Sequence, residues 1–251
     1  KERQSFLAEH NLYVCHAELK RIKQVTKEGR LWEHVELRAH GHPTLLQALK
    51  RLKKYGDFIE RHSPAMKKSG IFIFNSVGLT RPYVIRHRRK LIERYSPPKE
   101  AKILLLMPQT QLKPFHKSKE FKEIGKLLRS TFDLYLNEIH TCFYAAPFGV
   151  IPIELDEVYP LSQHEIALPL DKETIDYVAK QVADYINNTN YETVLLIHDP
   201  ENWNRNILNA CRKICVKKNM KFKYLSIKER RSKTMLTSLK KILHKTLSEQ
   251  P

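Results

Sequence analysis

Beyond two adjacent prolines, Pro97 and Pro98, the chain repeats one pattern: a short apolar run, then a longer stretch with helical periodicity. The apolar runs fall at 101–107, 138–144, 192–198 and 221–226, and the helical stripes at 118–130, 171–187, 202–218 and 228–247. Strands separated by helices of ten or more residues cannot pair as tight hairpins. Each connection crosses over, which makes neighbouring strands parallel and places helices on the sheet faces. Residues 99–251 are therefore expected to form a three-layer α/β domain with a mostly parallel sheet. Glycine is scarce, with 7 in 251 residues. None of them stands in GxGxxG or GxxxxGK[ST], which excludes a P-loop or a standard dinucleotide fingerprint.

Before the prolines, residues 1–95 read as mostly helical with one strand. Leu19, Ile22 and Val25 recur at helical spacing, and Gly29 supplies a stop. Leu31, Trp32, Val35 and Leu37 continue as a short helix. His42-Pro43 breaks and restarts the chain, proline being at ease in a first helical turn. Leu45, Leu46, Leu49, Leu52, Phe58 and Ile59 make one apolar stripe. The run at 71–74 does not alternate with polar residues and is expected as a fully buried strand. Arg81-Pro82 opens another helix. Tyr95-Ser96-Pro97-Pro98-Lys99 is the expected domain boundary, because no helix continues through two prolines.

The formal charge is +18. That excess favours a polyanionic partner, nucleic acid before membrane. Residues 1–100 hold 22 basic and 10 acidic side chains, and 216–251 hold 11 and 2, so the positive charge lies toward both ends. Arg81, Arg86, Arg88, Arg89, Lys90 and Arg94 crowd one short helix with Glu93 as the neighbouring anion; Lys228, Arg230 and Arg231 open a second basic face. Each is either a solvated helix face or a phosphate-binding surface, and these nine residues are the candidate RNA contacts. No apolar run approaches the roughly 18 residues that span a bilayer. The four cysteines are too few for a disulfide scaffold, so a reducing, cytoplasmic compartment is expected. Cys211 and Cys215 share one helix face and read as core, as does Cys142. Residue 1 is Lys, as in a processed or partial product.

Two ordered sets of motifs carry a resemblance. Leu7-Ala8-Glu9-His10-Asn11-Leu12-Tyr13-Val14, Gly29-Arg30-Leu31-Trp32-Glu33-His34-Val35-Glu36, His42-Pro43, Lys67-Lys68-Ser69-Gly70-Ile71-Phe72-Ile73-Phe74 and Arg81-Pro82 resemble the end of the catalytic barrel of archaeal tRNA-guanine transglycosylases, which begin archaeosine synthesis. Leu104-Leu105-Leu106-Met107-Pro108-Gln109, Lys113-Pro114-Phe115-His116-Lys117-Ser118, 147–155 and Tyr159-Pro160 look like a domain those enzymes share with archaeosine synthase, which adds lysine to the modified base. The resemblance implies that residues 1–95 complete a TIM-barrel-like catalytic domain. It also implies that His10 is one ligand of a structural zinc whose other three ligands are cysteines. Those cysteines, the aspartate nucleophile and the RNA-binding PUA domain of the full-length family have no counterpart in this sequence.

The archaeosine synthase motif runs Pro-Cys, three residues, Lys-Pro-Tyr, two residues, Ser, two residues, His. Pro108, Lys113, Pro114 and Ser118 match it; Gln109, Phe115 and Phe121 replace the cysteine, tyrosine and histidine. Lys113, Pro114, Phe115 and Ser118 remain the candidate substrate-binding residues. They follow a strand and precede a helix, where open α/β sheets place ligands. An ordinary connection, with Ser118 as a helix cap, fits the same residues. No residue here stands as catalytic. The function expected is a non-catalytic subunit or part of an archaeosine transglycosylase, supporting exchange of a D-loop guanine in tRNA for the 7-deazaguanine precursor preQ0. Its partners would be tRNA and a catalytic subunit carrying the zinc cysteines. The alternatives are a lysine transferase of the archaeosine synthase type, which lacks its thiol and imidazole here, and a stand-alone tRNA-binding module.

Overall fold

The computed structural model describes residues 2–64, 70–227 and 232–248. The first part opens with α1 (Glu2–Lys27), which Gly29 ends in the left-handed region at φ 70°. It continues with α2 (Leu31–Ala39), α3 (Pro43–Arg51) and α4 (Gly56–Arg61). The His42 ring nitrogen accepts a bond from the Thr44 amide at 3.3 Å and Pro43 takes the first helical turn, so the break and restart at His42-Pro43 is a helix cap. Strand β1 (Ile71–Ile73) and α5 (Pro82–Glu93) follow.

After the prolines come β2 (Ile103–Pro108), α6 (Lys119–Phe132), β3 (Ile139–Ala145), β4 (Gly149–Pro152), β5 (His164–Ile166), α7 (Lys172–Asn187), β6 (Thr193–His198), α8 (Pro200–Trp203), α9 (Asn206–Lys217), β7 (Lys221–Ser226) and α10 (Ser232–Ser248). Five strands form one sheet in the order β4-β3-β2-β6-β7. The β2–β3, β2–β6 and β6–β7 pairs are parallel, as the crossover argument requires, with Leu105 opposite both Thr141 and Leu195. Leu104, Leu106, Val194 and Leu196 turn to the face covered by α7 and α9, where Val182, Ile207 and Cys211 pack. Ile103, Leu105, Leu195 and Ile197 turn to the face of α6 and α10, against Ile124, Leu128, Leu239 and Leu243. Both faces are covered, which is why these strands carry no polar alternation. Cys142, Cys211 and Cys215 are buried in the core, and Cys15 is exposed.

Two features depart from the sequence reading. First, β4 is an antiparallel addition to the sheet edge, with Phe143 opposite Ile151. It leaves its turn through Gly149 at φ +81°, where an added Cβ would meet the Gln181 Cβ at 2.5 Å. Second, β1 is not buried throughout. Phe72 is half-covered and Phe74 is exposed, because β1 belongs to a separate two-stranded sheet. Its partner is β5, in parallel, with Ile71 opposite His164. The two parts on either side of the prolines therefore share a sheet. One strand and five helices do not close a barrel within the described residues. No helix among them is long and apolar enough to cross a membrane.

Candidate functional site

The loop from β2 to α6 leaves the carboxyl edge of the sheet, the side where open α/β folds bind ligands. Its first residue, Gln109, donates its amide to the Tyr144 carbonyl at 3.0 Å, and its Oε1 accepts the Ala146 amide at 2.9 Å. The residue standing where the archaeosine synthase motif has cysteine thus braces the turn after β3. Phe115 is fully buried, with its ring 5.3 Å from that of Phe143. The Ser118 hydroxyl accepts the Phe121 amide at 3.2 Å and caps α6. Pro114 is half-buried and follows Lys113 through a cis peptide bond. His116 donates its backbone amide and Nδ1 to Asp156 Oδ2 at 2.8 and 2.9 Å, and Lys117 pairs with Glu157 at 2.7 Å. The loop is therefore clamped to the turn after β4. Ser118→Ala is expected to cost about 1 kcal/mol, read as a lower unfolding midpoint in urea with an unchanged slope.

Of the four substrate-binding candidates, Lys113 lines a cavity. This space of about 420 Å³ lies between the loop and the β1–β5 sheet, walled by Phe72, Gln111, Lys113, His164 and Glu165. Burial lowers the Lys113 ammonium, and the Glu165 carboxylate partly restores it. Burial, reinforced by the Lys113 cation, holds the His164 imidazole down to about 3, so His164 is neutral at neutral pH. Its Nε2 lies 3.2 Å from the Ala146 carbonyl, to which it donates as the neutral tautomer. One cation and one carboxylate, over the buried His164 ring, suit a small polar or anionic group. Sequence reasoning missed His164 and Glu165. No spacing announces them, because the pairing of β5 with β1 is what carries them to Lys113.

A second polar cluster was also missed. Tyr95, in the linker, donates to Glu154 at 3.1 Å; Glu154 pairs with His140 Nε2 at 3.1 Å; His140 Nδ1 meets the Tyr191 hydroxyl at 2.6 Å; and Tyr191 meets Tyr185 at 3.0 Å. Burial pushes all three tyrosines above their ordinary range. The network fastens the linker to the edge of the sheet.

The basic helix is a correction to the reading of a cationic face. Arg81 is 1% exposed, with its guanidinium on Glu33 at 2.8 Å and on Glu36 at 3.2 Å. Arg86 binds Glu60 Oε1 at 2.7 Å and the carbonyls of Glu60, Ser63 and Pro64, and Arg89 shares the same carboxylate. Arg88 is half-buried and hydrogen-bonds Tyr177. Lys90 and Arg94 stand exposed. The counterions lie on helices 26 to 48 residues earlier, where a local charge count does not find them. Lys228, Arg230 and Arg231 lie outside the described residues.

His10 is exposed on α1. Among the described residues, no group of three or more His, Cys, Asp or Glu is placed to hold a metal ion. The helix itself is unusual. Phe6 is 70% and Leu12 71% exposed, Leu7, Tyr13, Val14 and Leu19 are exposed as well, and no residue of α1 is buried. Phe6 with Tyr13, Leu7 with Val14, and Leu12 with Leu19 are seven-residue pairs, set about a third of a turn apart around the helix. Large apolar side chains left in water along an otherwise polar helix mark a surface for a partner. Here α1 is held at Glu18, which takes Arg38, Arg21 and His34 and whose carboxyl those partners keep near 2, the Arg38 bond first.

The family model described as "Domain of unknown function (DUF5591)" matches residues 84–243. Among curated proteins, the tRNA-guanine(15) transglycosylase of Saccharolobus solfataricus is 37% identical over 201 residues, covering 79% of this chain and 38% of that protein. That of Methanobrevibacter smithii is 36% identical over 200 residues, covering 79% and 29%. That of Methanocaldococcus jannaschii is 36% identical over 195 residues, covering 73% and 27%. The chain thus spans well under half the length of these relatives. A crystal structure of AF0587, a protein of unknown function, matches with a TM-score of 0.45 at 16% identity, covering 62% of this chain and 48% of that one, a likeness too slight to argue from.

Proposed function

The chain belongs to the DUF5591 family, and on that premise we propose that it is the non-catalytic part of an archaeosine tRNA-guanine transglycosylase. It supports exchange of a D-loop guanine of tRNA for preQ0, as a subunit or a C-terminal part, while the catalytic aspartate lies outside these 251 residues. The observation that carries this reading is α1, 26 residues with none buried and with Phe6, Leu7, Leu12, Tyr13, Val14 and Leu19 exposed. A barrel domain packed against these side chains accounts for their exposure. Relatives that bear the transglycosylase name, and that this chain matches over only part of their length, support the same view.

On this reading each part of the chain has a role. The apolar sides of α1 close the partner's barrel. His10, exposed on that helix, is one zinc ligand, and three cysteines of the partner are the others; zinc there supplies a structural cross-link and no reaction step. Lys90 and Arg94 meet tRNA phosphates, which position the substrate without reading its sequence. The Lys113 cavity holds a small polar or anionic group.

Reconstitution tests the proposal. The chain alone is expected to incorporate no labelled base into tRNA and to carry no stoichiometric zinc. Mixed with a transglycosylase polypeptide that carries the aspartate and the three cysteines, it should restore exchange, with one zinc per complex. Leu12→Asp with Tyr13→Asp should weaken the complex at least tenfold while leaving the chain's own unfolding midpoint unchanged, because both side chains are already exposed. Base exchange or stoichiometric zinc on the chain alone would overturn it.

A further inference from the structure

β7 closes one end of the five-stranded sheet, and its outward edge carries an aromatic surface that the reading above does not use. Phe222 and Tyr224 lie two residues apart on one face of the strand, opposite Val194 and Leu196, with near-parallel rings (15°) and centroids 6.2 Å apart. Tyr224 is 45% exposed. The Arg212 guanidinium reaches from α9 to within 5.9 Å of the Tyr224 ring centre. One turn further along α9, Val216 is 76% exposed. Lys213 and Lys217 of α9 are exposed too, and neither α9 nor β7 contains an acidic residue. An arginine over an aromatic ring, with exposed apolar Val216 on the same helix and positive charge around it, is a costly surface to leave in water.

We propose that this edge is a stacking platform for an unpaired nucleobase of RNA. The base joins the stack that Arg212 makes over Tyr224, and Lys213 and Lys217 meet the flanking phosphates. Unstacked bases pair with aromatic and arginine planes whatever their identity, because every base has a π face. The positive surround selects a polyanion over a second copy of this equally basic chain. The inference rests on the tRNA reading only for which RNA brings the base.

Fluorescence anisotropy of the full chain with a labelled, unstructured eight-nucleotide RNA tests it. Tyr224→Ala should weaken binding about 5- to 30-fold, and Tyr224→Trp should restore it. Neither change removes charge, so the salt dependence should keep its slope, whereas Arg212→Gln should weaken binding and flatten it. Thermal unfolding confirms that each variant folds. Equal affinity for wild type and Tyr224→Ala overturns the platform, as does a dimer that Tyr224→Ala dissociates. If tRNA binds with equal affinity to both, the platform fails and the tRNA reading stands. If oligonucleotide binding depends on Tyr224 but no transglycosylase partner is ever activated, the platform stands and that reading fails.

Discussion

Alanine in place of Arg81 is expected to lower folding stability by about 3–5 kcal/mol, not merely to trim a basic surface. The guanidinium is buried between Glu33 and Glu36 of α2 and lies 6.0 Å from the Trp32 ring. It joins the start of α5 to α2. Removing it takes the guanidinium from two carboxylates in a nearly dry site, where the desolvation of their charge is then less offset. Glu36→Gln should behave differently and stay within about 1 kcal/mol of wild type. Burial already raises the Glu36 pKa, opposed by Arg81, and the amide keeps the shape while dropping the excess anion. Urea unfolding at pH 7 separates the two variants. An unchanged midpoint for Arg81→Ala, together with weaker RNA binding, would return Arg81 to the surface role that its sequence neighbourhood suggests.

That contrast shows what the sequence carries and what it does not. Strands β2, β3 and β6 were legible because both sheet faces are covered, which leaves runs such as Ile103 to Met107 without a polar break. The Ser118 cap was legible because capping is local, its hydroxyl holding the Phe121 amide one turn on. β4 and β5 were not legible. At four and three residues they carry no periodicity, and their pairing partners decide them. The fate of the arginines was hidden for the same reason, since Arg86 and Glu60 meet through the packing of α5 on α4. At the Lys113 loop the sequence placed the candidate residues between a strand and a helix, which is where β2 and α6 put them. It could not show that the fold itself uses Phe115 and Ser118, or that β5 delivers His164 and Glu165 beside the one remaining candidate.

Below pH 6.5 the protein is expected to lose stability before its carboxylates titrate, through two buried imidazoles. His87 is fully enclosed between α5 and β4, donating Nε2–H to the Val150 carbonyl at 2.9 Å with its ring 5.5 Å from that of Phe148. Burial holds it down to about 4, and His164 down to about 3, against 6.5 when free. The unfolded chain therefore takes up these protons first. The stability is complete above about pH 6.5 and is lost as pH falls toward the folded values, a loss of about 2–3 kcal/mol from each imidazole by pH 4.5. Glu36, whose pKa burial raises, works in the opposite direction over part of this window, so the total slope alone does not isolate the histidines. His87→Gln does. The amide can still donate to Val150 but takes up no proton, so the slope of unfolding free energy between pH 6.5 and 4.5 should fall by about 1 kcal/mol per pH unit. If the variant and the wild type lose stability in parallel over that range, His87 is solvated in the folded protein and the packing of α5 against β4 is looser than its contacts require.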